Sequence, residues 1–266
     1  TLDEYEVDIY REDGSGMPPE EGPDDRIGIA QMKHVEGLYQ YWHDAVVKSH
    51  AQLMDNCCGG GNRIDIETSK IGFYLWRSDF NDIGEGLKGP AHWPLMARAD
   101  QVMAGGLALY MPMNTGPVWR SAPYNIRSAL AAGLCLYGDL ENQEAFPEQQ
   151  TQAAIAEAKQ LRPLFLGDYF PLLPLTTSQR DWYAYQLDRP DLGEGAVLAF
   201  RRPESPYPAV ELALYGIDES AMYEVSLTQE TYDHALYVEM AGSELAALTV
   251  SIPERPGSVL LRYRRK

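Results

Sequence analysis

Residues 54–82 read MDNCCGGGNRIDIETSKIGFYLWRSDFND, and this stretch limits the fold more than any other part of the chain. Residues 53–56 read as a short strand that runs into a turn carrying Cys57, Cys58, Gly59, Gly60 and Gly61. Further on, a second short apolar run, 73–76, ends in Arg77, Ser78 and Asp79. Two short strands that each finish on polar residues, with a helix-length segment between them, have the pattern of a β/α barrel rim. In such a rim the functional side chains gather at the strand ends.

The flanking sequence continues the alternation. Residues 5–10 (YEVDIY) alternate like a strand and give way to Arg11, Glu12, Asp13 and an acidic loop rich in Gly and Pro. Over 29–48 the apolar residues Ile29, Met32, Val35, Leu38, Trp42, Ala45 and Val46 recur at three and four, which predicts an amphipathic helix. Later in the chain, 105–112 is expected as a buried strand, 124–132 as a helix and 133–137 as a further strand. A helix is expected over 149–161, stopped by Arg162 and Pro163. Repeated strand and helix argue for a parallel sheet.

After about Pro174 the pattern changes to short alternating runs bounded by turns: 182–187, 196–201, 210–215, 223–227, 235–239, 248–252 and 259–263. These indicate an antiparallel sandwich. The expected architecture is therefore α/β: part of a (β/α)8 barrel over 1–174, then an antiparallel β-sandwich domain over 175–266. A whole barrel needs roughly 250 residues, and only about five strand-helix units fit before 174. The chain is thus expected to start partway round a barrel, with the upstream half in the same polypeptide or a partner chain. An opening at Thr1 rather than methionine fits a processed or partial product.

Charge narrows the partners. A formal charge of −17 repels phosphate backbones and anionic lipid heads, which argues against nucleic acid and membrane surfaces and for a neutral or polar ligand. No apolar run is long enough to span a membrane. The three cysteines, two of them adjacent, suggest no disulfide framework.

Asp13 and Asp79 stand at two strand ends where barrel side chains converge. Paired carboxylates are what glycoside cleavage requires, one to attack the anomeric centre and one to protonate the leaving oxygen. Arg11, two residues before Asp13 on the same strand face, would point into the same pocket and keep Asp13 ionised. The competing reading is that both are solvated loop carboxylates among the chain's 39 acids. The glycine run lets backbone N–H groups approach a ligand or serves only as a tight turn. It lacks the lysine and hydroxyl ending of a phosphate loop. Cys57 and Cys58 have no metal spacing and are expected to pack or line the pocket. Trp76 is read as core or, alternatively, as a stacking platform. Asp65 is read as a helix cap or ion-pair partner rather than a catalyst, and His34, His43, His50 and His92 as structural or surface. Asp82 lies near enough to Asp79 to be mistaken for it.

Together these residues resemble the α-galactosidases of glycoside hydrolase family 36. That family's Tyr-Arg-Gln-Asp strand end is similar to Tyr10, Arg11, Glu12 and Asp13. Its Cys-x-x-Gly-Gly-x-Arg-x-Asp segment is similar to the run from Cys57 to Asp65, and its Trp-x-Ser-Asp strand to Trp76, Arg77, Ser78 and Asp79. The tail resembles the family's closing sandwich. The resemblance implies a retaining α-glycosidase acting on an α-galactoside oligosaccharide or glycoconjugate, with Asp13 as nucleophile and Asp79 as acid/base. Arg11 would bind sugar hydroxyls, with Asp8 (also a rival nucleophile), Cys57, Gly60, Arg63, Trp76 and Arg77 as further substrate-binding residues.

It implies no cofactor and no metal, since two carboxylates do both jobs. Retention would put the two carboxyl groups about 5–5.5 Å apart. Other expectations in the same fold are an α-N-acetylgalactosaminidase, a transglycosidase or a non-catalytic carbohydrate-binding homologue. Members of the family often form oligomers, so a homo-oligomer is among the implied arrangements.

Overall fold

The computed structural model describes residues 2–14, 16–20, 22–49, 53–80, 92–136, 146–233 and 235–266. His50, Asp82 and residue 137 of the expected strand lie outside the described residues. The chain divides into two compact units, Thr1–Asp79 and Phe80–Lys266.

The first unit contains β1 (Ile9–Glu12), α1 (Ile29–Trp42), β2 (Leu53–Asn56) and β3 (Tyr74–Trp76). β1 and β2 pair in parallel, with Arg11 opposite Asp55 and Glu12 opposite Asn56. A parallel bridge between Asp55 and Phe73 brings the start of β3 against β2. There the Phe73 N–H donates to the Met54 carbonyl at 2.7 Å and the Asn56 N–H to the Phe73 carbonyl at 2.8 Å. Three parallel strands thus follow one another in chain order. α1 runs on through a π turn, His43–Val47, and its stripe buries Trp42 and Val46 against Met54, with Tyr10, Leu38 and Tyr39 around them. The first turns of that stripe, at Ile29 and Met32, are exposed.

Two expectations change here. The first strand starts at Ile9 rather than residue 5, because Glu6 takes a left-handed φ of 49° that no extended strand can hold. The Val7 N–H instead turns back to the Leu2 carbonyl. Between β2 and β3 there is no α-helix. The glycine turn leads to a single 3-10 turn, Thr68–Lys70, where Asp65 Oδ1 accepts the Thr68 N–H at 2.8 Å.

The second unit opens with α2 (Trp93–Ala108), β4 (Asn114–Thr115), β5 (Pro117–Val118), α3 (Pro123–Ala129), β6 (Cys135–Leu136) and α4 (Glu148–Leu161). β5 and β6 pair in parallel. The first half of the strand expected at 105–112, residues 105–108, is the end of α2. Short apolar runs carry no reliable period, and Gly105 there marks close packing rather than a turn. A Cβ on Gly105 would stand 2.1 Å from the Tyr183 hydroxyl oxygen.

The rest is antiparallel: β7 (Asp168–Pro171), β8 (Trp182–Arg189), β9 (Glu194–Arg201), β10 (Ala209–Ala213), β11 (Met222–Thr228), β12 (Leu236–Ala241), β13 (Ala247–Ser251) and β14 (Gly257–Arg265), with a short α5 (Gly242–Ala246). Six of them form one sheet in the order β12-β11-β14-β9-β8-β7, and β10 pairs with β13.

The central strands of the large sheet, β8, β9 and β14, are buried on both faces. Tyr183, Tyr185, Leu187, Leu198 and Phe200 face a core that includes Ile126 of α3 and Ala154, Ala158 and Leu161 of α4. Trp182, Ala184, Val197 and Ala199, at the intervening positions, face Leu212, Leu248 and Val250 of the β10/β13 pair. Central strands covered on both sides lose the apolar and polar alternation that an open sheet shows. Because β7 already pairs with β8, the antiparallel layer starts ahead of residue 175, and it shares one compact unit with α2, α3 and α4. Among the described residues no helix is long and apolar enough to cross a membrane.

Candidate active site

Period-two alternation sorts the ends of β1 and β2 into two faces. Tyr10, Glu12 and Met54 lie on the side of α1. There the Trp42 Nε1–H donates to Glu12 Oε2 at 2.8 Å, and Arg63 Nη1 reaches Glu12 Oε1 at 3.1 Å. Arg11, Asp13, Asp55 and Cys57 lie together on the other side. Arg11 Nη1 pairs with Asp55 Oδ2, while its Nη2 donates to Asp13 Oδ2 at 3.3 Å. Asp55 is buried, with its Oδ1 accepting the Leu75 N–H of β3 at 3.1 Å. The Arg11 and Asp13 side chains are 42% and 52% exposed, so this pair faces outward where a ligand can reach it.

The surroundings keep Asp13 ionised. Partial burial pushes its carboxyl up, but hydrogen bonds from the Cys57 thiol and the Gly59 N–H, with the Arg11 charge, outweigh that and hold it below the usual carboxylate range. Cys57 moves the other way. Burial and the neighbouring Asp13 raise its thiol above the ordinary value against the pull of Gly60 and Arg11. A protonated thiol donates a hydrogen bond and is a poor nucleophile, so Cys57 serves Asp13 rather than competing with it.

The glycine turn brings in the second carboxylate. Gly60 and Ser78 form an antiparallel bridge, and a Cβ on Gly60, whose φ is 77°, would fall 2.6 Å from Ser78 Cα and 2.7 Å from the Asp79 nitrogen. Only glycine permits two main chains so close at that φ. Asp79 then sits beside Gly59, where an added Cβ would be 3.7 Å from Asp79 Oδ2. Its other oxygen, Oδ1, accepts the Trp76 Nε1–H at 2.9 Å. Asp13 and Asp79, which follow the ends of β1 and β3, therefore both lie close to one residue, Gly59.

The remaining candidates are placed differently. Asp8 precedes β1, at the opposite end of that strand from Asp13 and, at about 3.3 Å per residue, on the order of 16 Å away along it. Arg63 turns inward, donating to Glu12 and, at 2.6 Å, to the Cys57 carbonyl, with its guanidinium 5.4 Å from the centre of the Trp42 ring. Arg77 is buried at 4% exposure, inside the fold rather than on the Asp13 surface. Trp76 is half-buried and orients Asp79. Sequence reasoning missed Asp55. The signal was its place two residues before Cys57 on the same strand face, directly across the pairing from Arg11. Among the described residues no group of three or more His, Cys, Asp or Glu is arranged to hold a metal ion.

No protein-family model matches the chain, and no curated protein sequence matches it. Its fold does match solved structures. It aligns over 98% of its length with the GH36 α-galactosidase AgaA of Geobacillus stearothermophilus, at 19% identity and a TM-score of 0.73. It aligns over its whole length with an α-galactosidase of Lactobacillus brevis, at 16% identity and a TM-score of 0.68. The galactosidase domain of the α-galactosidase-sucrose kinase AgaSK is similar over 100% of the chain, at 17% identity and a TM-score of 0.68. Variants of AgaA are known in complex with raffinose and with stachyose. The chain spans 36% of AgaA and of the L. brevis protein, and 35% of the AgaSK domain. Over nearly its whole length it thus has the fold of a segment of family-36 α-galactosidases, which are glycoside hydrolases.

Proposed function

We propose that this chain supplies both catalytic carboxylates of a retaining α-glycosidase, with a terminal α-galactoside as substrate. The observation that carries the reading is that Asp13 and Asp79 both approach Gly59, Asp13 through the Gly59 N–H and Asp79 within 3.7 Å of where a Gly59 Cβ would stand. In the first step an Asp13 oxygen attacks the anomeric carbon while the bond to the leaving oxygen breaks, and Asp79 gives its proton to that oxygen. In the second step a water, losing its proton to Asp79, attacks the same carbon and releases Asp13. Arg11 is placed to hydrogen-bond sugar hydroxyls with the N–H groups that Asp55 and Asp13 leave unused.

The hydrogen bonds that hold Asp13 ionised support its role as nucleophile. The family-36 structures that share this fold, some of them bound to α-galactosyl oligosaccharides, support the choice of sugar. Since the chain spans 36% of AgaA, the activity is proposed for the assembled protein, with the other strands of a (β/α)8 barrel coming from outside these residues.

The test is hydrolysis of an aryl α-galactoside by the full-length protein, with the anomer of the released sugar followed by proton NMR. Release of the α-anomer, lost in Asp13→Ala and Asp79→Ala, is the expected result. Release of the β-anomer overturns retention. Turnover of a different α-glycoside alone keeps the mechanism and discards galactose.

A further inference from the structure

The geometry points to Asp55 as a positioning residue that acts on the reaction through Arg11, without touching the sugar. This inference rests on the glycosidase reading for its kinetic consequence, but not for its structural one. Asp55 sits in the middle strand of the three and is bonded to both neighbours. Its Oδ2 takes the Arg11 guanidinium of β1, and its Oδ1 takes the Leu75 N–H of β3 at 3.1 Å. The carboxylate is thus fixed by main chain on one side and fixes a long side chain on the other.

Arg11 is half-exposed and would otherwise sample many rotamers, since ordering a free arginine side chain costs on the order of 2 kcal/mol. Held at Nη1 by Asp55, it presents Nη2 to Asp13 in one orientation. The groups facing this cluster are Arg11 and Asp13 from the end of β1, Cys57 and the Gly59 N–H from the turn after β2, and Asp79 beside Gly59. Glu12 and Arg63 pair with each other on the opposite face. Arg11 is the cation that Asp55 and Asp13 share, and burial of Asp55 ensures that its share of that cation does not wander into solvent.

A mere counter-charge would act in the opposite sense. Removing it while Arg11 stayed in place would give Asp13 more of the positive charge and lower its pKa. Removing a positioning group lets Arg11 leave, and Asp13 becomes harder to ionise.

The experiment is Asp55→Asn in the full-length protein, with Asp55→Ala beside it. The asparagine keeps an acceptor for the Leu75 N–H and is expected to fold. The pH profile of kcat/KM on an aryl α-galactoside is measured together with a crystal structure of the Asn variant. The expected result is a drop in kcat/KM of about 10–100-fold, an acidic limb moved to higher pH, and a guanidinium no longer in contact with Asp13. An acidic limb that stays in place or moves to lower pH overturns the proposal, as does a guanidinium that keeps its contact with Asp13. If the unmodified protein hydrolyses no glycoside, the glycosidase reading falls, and the position of Arg11 in the crystal structure still decides the role of Asp55.

Discussion

Arg11 and Arg127 are both arginines held by carboxylates, one in each unit, and burial gives them different work. Arg127 is fully buried and grips Glu157 with two bonds, Nε to Oε1 and Nη2 to Oε2, each 2.8 Å. Its other donors go to Thr228 Oγ1 at 3.0 Å, Ser258 Oγ at 3.3 Å and the Gln229 carbonyl. Every N–H direction of that guanidinium ends on protein, tying α3 to α4 and to the sheet. Arg11 spends two directions on Asp55 and Asp13 and faces outward with the remainder. A saturated arginine is part of the frame, whereas an unsaturated one beside a carboxylate has capacity left for a ligand.

The contrast can be broken experimentally, and the largest effect belongs to the outward-facing site. Asp79→Ala should lower kcat on an α-galactoside by about 10²–10⁴-fold, the usual span for losing a general acid. The thermal midpoint should stay near that of the parent; a large drop in it would make Asp79 a structural residue. Next comes the frame. Glu157→Ala leaves Arg127 buried without its partner and should cost about 3–5 kcal/mol in urea unfolding. A cost under about 1 kcal/mol would show that burial does not separate the two arginines.

Gly60→Ala should follow, at about 1–3 kcal/mol for a left-handed residue. The shift forced on Ser78 and Asp79 should also lower kcat.

The smallest effects are in the pH dependence of stability, and they have opposite signs in the two units. Asp13 has a depressed pKa, so its contribution is present above its unfolded value and is lost as pH falls through the folded one. Asp13→Asn should therefore lessen the loss of stability in acid. Asp188 has its pKa raised, chiefly by burial and despite the 2.6 Å hydrogen bond from the Tyr263 hydroxyl. Its folded form favours the proton, so stability present below the unfolded pKa is lost as pH rises through the folded one. Asp188→Asn should remove that loss. Urea midpoints taken across the carboxylate range check both signs, and like-signed shifts would contradict the assignment.

What sequence conveyed depended on how far each signal reached. The strand ends at Asp13, Cys57 and Asp79 were legible because short apolar runs stop abruptly at polar residues, and the seven later strands because turns bound them. The start of the first strand was misplaced because alternation in YEVDIY continues through Glu6, whose left-handed backbone breaks the extended chain there. The strand expected at 105–112 failed because an apolar run with two glycines fits a packed helix end as well as a strand. Asp55 was overlooked because its partner lies 44 residues away, and only the register of β1 on β2 brings the two together. Arg63 and Arg77 carry the same charge as Arg11 in sequence, and only the fold distinguishes an inward guanidinium from an outward one.

The six-stranded sheet also bears on how such a protein can be recombined. Tyr183, Tyr185, Leu187 and Phe200 project into a core shared with α3 and α4, so their shapes are matched to those helices as closely as to their own sheet. Swapping in the equivalent segment of a relative at Pro174 would cut through that matched surface, leaving aromatic side chains opposite helices that never evolved to receive them. Chimaeras joined upstream of α2, with the helices and sheet inherited together, are the ones expected to express as folded protein.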